Sequence, residues 1–189
     1  MSKMLLGIAL VVLELTIPIK EVYLIGLFPD FIGYLLLVFG MKEVSNQTDY
    51  YVKNRRFTFW IGVFSLMIYI MNAVGYTARG AFEPLLMQLV VIILQPICLF
   101  RIVRGIRQME QDYDLKLCST ALFITWGCMS ILSVLAFVLG FFTNLGELLE
   151  LLLTTASLIF VGLFFWTTRV YNAACEEVEY EVDTEESEE

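Results

Sequence analysis

LCSTALFITWGCMSILSVLAFVLGFF, residues 117–142, runs for 26 positions without one charged side chain. As an α-helix rising about 1.5 Å per residue it is about 39 Å long. The hydrocarbon core of a bilayer is about 30 Å thick, so the segment is long enough to cross it. Unpaired backbone amides are not tolerated in lipid, which leaves helices or a closed barrel as the spanning structures. The run is continuous rather than alternating, and that pattern excludes a barrel.

The same reading extends outward in both directions. Apolar runs fall at about Met4–Ile19, Val22–Val44, Phe57–Ala78, Pro84–Val103 and Leu145–Val170. Together with Leu117–Phe142 they predict six spans. Hydrophobic residues make up 59% of the 189 positions, and the mean hydropathy is +0.76. A soluble chain of this length is closer to half apolar. The fold class expected is all-α, a polytopic membrane bundle of about six transmembrane helices. Residues 1–175 form its single domain. The opening Met1-Ser2-Lys3 and apolar run resemble a signal peptide, but no small-x-small site follows, so the first span is expected to stay uncleaved.

Charge orients the bundle. The net charge of −8 sits in the last stretch, where residues 176–189 hold nine acids; elsewhere 12 bases face 11 acids. That stretch is expected to be an acidic, disordered cytoplasmic tail. With the amino terminus inside, Lys3, Lys42, Lys53, Arg55, Arg56, Arg101, Arg104, Arg107, Lys116 and Arg169 lie inside, and Lys20 and Arg79 outside. An excess of Lys and Arg marks cytoplasmic loops, so both termini are expected in the cytoplasm. No basic domain points to nucleic acid. Tyr23, Phe28, Tyr50, Tyr51, Trp60, Tyr76, Trp166 and Tyr171 flank the runs and are expected to anchor at the headgroup level.

Catalytic chemistry has few residues to work with. Histidine is absent, which removes the commonest general base and zinc ligand. Cys98, Cys118, Cys128 and Cys175 form no CxxC pair and read as reduced packing residues, with Cys175 open to redox or lipid modification at the membrane edge. No phosphate-binding Walker loop, GxSxG or HExxH occurs. No cofactor or metal is expected, and the chain is expected not to be an enzyme.

A candidate polar path rests on four acids. Pro29-Asp30 interrupts the second run: proline disfavours helix in the residue before it, and Asp30 is placed to cap a helix beginning at Phe31. A broken span with Asp30 at the break builds an ion or substrate site; the competing reading is a plain helix start at the outer interface. Glu14 lies inside an apolar run, where a carboxylate is costly unless paired, protonated or reaching water. Glu147 and Glu150 stand one turn apart at the start of the sixth run, where the helix dipole favours them. At the inner end, Arg101, Arg104 and Arg107 repeat every three residues and are the candidate contact for anionic lipid. Gln95-Pro96 is expected to bend the fourth span. Gly40-Met41-Lys42-Glu43 and Gly105-Ile106-Arg107-Gln108 close two even-numbered runs, which three stacked helical hairpins, a partial duplication or chance produces.

Pro29-Asp30-Phe31-Ile32-Gly33-Tyr34, followed by an apolar helix ending Gly40-Met41-Lys42-Glu43, resembles an uncharacterised group of small multi-pass membrane proteins of Gram-positive bacteria. The likeness covers about the first 45 residues and the overall length. It implies a bacterial cytoplasmic membrane location and brings no activity with it. The expectation is therefore a non-enzymatic membrane component whose partners are the lipid bilayer and a protein bound through the acidic tail. The alternative is a small-solute or ion transporter or channel with Asp30 and Glu14 near the polar path.

Overall fold

The computed structural model describes residues 1–13, 29–45, 49–73, 82–140 and 146–188. Among them are six helices and no strand: α1 (Ser2–Val12), α2 (Asp30–Val44), α3 (Asp49–Ala73), α4 (Phe82–Asp112), α5 (Ser119–Gly140) and α6 (Gly146–Glu188). Three segments are long and apolar enough to cross a bilayer: Leu89–Asp112, Ser119–Leu139 and Leu151–Glu176.

The other helices differ from the expected spans for local reasons. α1 has 11 residues, about 16 Å, because Leu13 leaves helical geometry (φ −91°, ψ 82°). α2 starts at Asp30, one residue before the expected Phe31, with Pro29 as its extended N-cap. Its 15 residues span about 22 Å. The half-segment Val22–Phe28 lies outside the described residues. α3 begins well before the expected Phe57, and α4 runs nine residues past the expected Val103. Both extensions are rich in good helix formers such as Arg, Lys, Gln and Met, and both continue a buried face already set inside the helix.

The last helix runs on past its membrane-length segment. α6 continues as helix through the acidic stretch to Glu188. Residues 171–188 contain neither Gly nor Pro, and extending an existing helix avoids the cost of nucleating one.

Each helix packs against its neighbours in sequence, and α1 also packs against α6, so the six close into a ring. Contacts fix the directions. Gly40 lies against Met4, and Gly33 against Val11; Phe31 meets Tyr69, with ring centroids 5.6 Å apart, while Thr58 reaches Met41. Tyr51 reaches Ile102 and Thr58 reaches Cys98. Trp126 reaches Pro96, and Thr167 reaches Leu117. Successive helices are therefore antiparallel. This brings Lys3, Lys42, Lys53–Arg56, Arg101–Arg107, Lys116 and Arg169 to one end, called here the basic end. The starts of α2 and α6 lie at the other.

The three hairpins share a register. α2 buries Gly33, Tyr34, Leu37, Gly40, Met41 and Val44. Sixty-five positions on, α4 buries Cys98, Leu99, Ile102, Gly105, Ile106 and Met109. Sixty-two further on, α6 buries Phe160, Phe164, Thr167, Thr168 and Tyr171. In each helix these positions form one face at a spacing of three and four. The GMKE and GIRQ segments noted in the sequence hold matching places in this scheme. Gly40 receives Met4 of α1, and Gly105 receives the Tyr51 ring of α3.

Candidate functional site

The centre of the basic end is apolar and filled. Met4, Ile8, Leu37, Met41, Ile102, Ile106, Met109, Phe160 and Phe164 are all 0% exposed. The polar groups among them are held by local partners. Thr167 donates to the carbonyls of Leu117 (2.7 Å) and Leu163 (3.0 Å), and Thr168 to that of Phe164 (2.9 Å). The Thr58 hydroxyl sits 3.9 Å from Met41 Sδ and 3.5 Å from Cys98 Sγ.

Tyr51 was expected as a headgroup anchor and is instead fully buried. Its ring fits where Gly105 lacks a side chain, and its hydroxyl donates to the Ile102 carbonyl (3.2 Å). Burial pushes its phenol well above the usual range, with Tyr50 and Tyr171 acting in the same direction, so it remains a neutral donor. Tyr171 is likewise buried (8% exposed), whereas Trp60 and Trp166 are exposed as an anchoring role requires (67% and 58%). Tyr23, Phe28 and Tyr76 lie outside the described residues.

The arginine row divides into different environments. The Arg101 guanidinium lies over the Phe57 ring, 4.1 Å from its centroid, and that of Arg104 over Tyr50 at 5.9 Å. Arg107 is exposed and makes no such contact among the described residues. Beneath Arg101, Asn54 on α3 is 5% exposed. Its Oδ1 accepts from Arg101 Nη1 at 3.5 Å, long for an N–H···O bond. Its Nδ2 is buried without an acceptor among the described residues. A buried donor left unpaired costs about 1–3 kcal/mol. Asn54 gives no functional signal in the sequence because it falls between the runs Val22–Val44 and Phe57–Ala78, beside Lys53, Arg55 and Arg56; the signal available was its spacing from Tyr51 and Thr58, at i and i+7 on one helical face.

Nearby links tie the ring together. Lys3 pairs with Glu43, both exposed. Glu110 accepts the Ser119 amide (3.2 Å), capping α5. The connection between α4 and α5 turns through two left-handed residues, Asp114 (φ 53°) and Cys118 (φ 55°). Pro96 lies inside α4. Its carbonyl accepts from Trp126 Nε1 (2.9 Å), while Gln95 Nε2 donates to the Val11 carbonyl (3.1 Å) and bridges α4 to α1.

The opposite end is looser. No described residue is buried over 63–71 in α3, 89–97 in α4, 130–139 in α5 or 148–156 in α6. Asp30 stands in the first turn of α2 at this end, partly buried. Glu147 and Glu150 are in the first turns of α6 at the same end, with side chains outside those described. Glu14 lies outside the described residues, so the expected path through the four acids is not traced among them. No protein family matches the chain, and neither a curated protein nor a solved structure matches it.

Proposed function

We propose that this chain is a non-enzymatic, six-span component of a bacterial cytoplasmic membrane that binds a partner protein through the acidic end of α6. The carrying observation is the length of that helix. α6 has 43 residues, about 64 Å. Its membrane-length segment ends at Glu176, and the helix continues 12 residues more, about 18 Å, to Glu188. The projecting arm carries Glu177, Glu179, Glu181, Asp183, Glu185, Glu186 and Glu188. It leaves from the basic end, which on the positive-inside rule faces the cytoplasm. An anionic helix that leaves from the basic end suits a partner with a basic groove.

The test is a photoreactive residue placed at Glu179 in cells, with a control at Leu151. One discrete protein adduct from position 179, lost when Glu177, Glu181 and Asp183 become Lys, supports the reading. A full-level adduct after that charge reversal refutes it.

A transporter is the second reading. What supports it is that the described residues of α3 to α6 are unburied at the end where Asp30 stands, the end an outward-facing carrier would open. Against a simple channel, the basic half is closed by fully buried Met, Leu, Ile and Phe side chains. Flux in proteoliposomes that is abolished by Asp30→Asn with Glu14→Gln supports this reading. Flux that survives the double change removes both acids from the mechanism.

A further inference from the structure

We infer that Asn54 and Arg101 form a phosphate-binding subsite between α3 and α4 at the basic end. The inference is independent of the α6 arm. Arg101 is half-buried and has no carboxylate partner among the described residues; the ion pair found among these is Lys3–Glu43, on other helices. Phe57 covers one face of the guanidinium. That leaves its edge, with its fork of donors, as the surface that binds. The one hydrogen bond described for it runs to Asn54 and is stretched to 3.5 Å. Asn54, for its part, has a buried amide nitrogen with no acceptor.

Both groups are short of the same thing. A guanidinium has donors only, and the orphaned atom of Asn54 is a donor, so the element missing from the pair is an oxygen acceptor carrying negative charge. Phosphate supplies it. Two of its oxygens match the Arg101 fork, which releases Asn54 Oδ1. The freed amide then turns about its Cβ–Cγ bond and presents Nδ2 to a third oxygen. Arg104, held over Tyr50 one helical turn along, adds charge from the side. Arg107 belongs to the same row in sequence and not to this subsite. The ligand chemistry is that of a phosphate ester, supplied either by a lipid headgroup or by a soluble phosphate.

The test uses the full chain purified in a neutral detergent, titrated with phosphatidylglycerol, with phosphatidylcholine and with inorganic phosphate, and read by native mass spectrometry. Phosphatidylglycerol is expected to bind in one saturable step. Arg101→Gln weakens it by about tenfold or more, the scale of a charge-assisted bidentate bond. Arg101→Lys keeps the charge, loses the fork and still weakens binding severalfold, whereas Arg107→Gln changes it less than about twofold. Asn54→Leu removes the orphaned donor, so it raises or preserves thermal stability while weakening binding; a variant that merely unfolds moves both down together. Competition by millimolar inorganic phosphate assigns the site to soluble phosphate, and its failure assigns the site to the headgroup. Equal losses from Arg101→Gln, Arg104→Gln and Arg107→Gln overturn the subsite in favour of diffuse attraction, and so does an absence of saturable binding by either probe.

Discussion

Replacing Gly40 by Ala, and separately Gly162 by Ala, applies one chemical change to two unlike surroundings. A Cβ at position 40 falls 2.6 Å from the Met4 amide nitrogen and 3.0 Å from Met4 Cα. Ordinary carbon contacts begin at about 3.5 Å. The obstructing atoms are backbone, so no rotamer change relieves them, and α1 must move away from α2 by several tenths of an ångström. The motion is opposed at a second place, because Gly7 already lies so close to α2 that a Cβ there meets the Gly33 oxygen at 2.7 Å. Overpacking of this kind costs about 1–3 kcal/mol, offset by about 1 kcal/mol of helix propensity when Ala replaces Gly. With backbone as the obstacle the upper part of the range applies, which leaves a net loss of about 1–2 kcal/mol. A Cβ at Gly162 meets nothing within 4 Å, so the propensity gain stands alone and Gly162→Ala is neutral or stabilising by up to about 1 kcal/mol. Thermal unfolding in mild detergent, followed by size-exclusion recovery, separates the two. Equal shifts for both variants, or a stabilised Gly40→Ala, refute the close α1–α2 packing on which this reasoning stands.

Two further outcomes are expected. Trp126→Phe keeps the ring contact with Phe100, whose centroid lies 4.9 Å away, and loses the bond to the Pro96 carbonyl; the chain is destabilised by about 0.5–1.5 kcal/mol in the same assay, whereas Trp126→Ala costs more. A membrane-impermeant maleimide labels Cys175 only in inverted vesicles, while the buried Cys98 stays unlabelled until the protein is denatured; Cys175 labelling on intact cells contradicts the proposed orientation.

Helical class and polarity were legible because both rest on composition along the chain. Long runs such as Leu117–Phe142 admit one kind of structure in lipid, and the basic residues sort to one end whatever the packing. What escaped was the interior of the basic end. Tyr51 and Asn54 sit in a stretch with Lys53, Arg55 and Arg56. Average polarity there reads as loop, yet one face of the helix passes beneath α4 and buries both. An aromatic ring at a polar boundary is equally suited to a headgroup or to a gap opposite glycine, and only Gly105, far away in sequence, decides between them. The hairpin register was half visible. Gly40 and Gly105 gave matching segments, but the equivalent place in α6 holds Thr167, which satisfies its hydroxyl on the Leu117 carbonyl and so leaves no glycine to find. The four acids remained a proposal because what joins them is distance between helices, which spacing along one chain does not encode.

Contact between α1 and α6 makes the first described helix a neighbour of the sixth. Until the ribosome has delivered α6, one flank of α1 lacks the companion it has in the finished fold. A translation product stopped after α5 would keep that flank bare, offering membrane proteases and holdases a mark that the finished protein conceals. Quality control of this chain thus turns on whether its seam has shut.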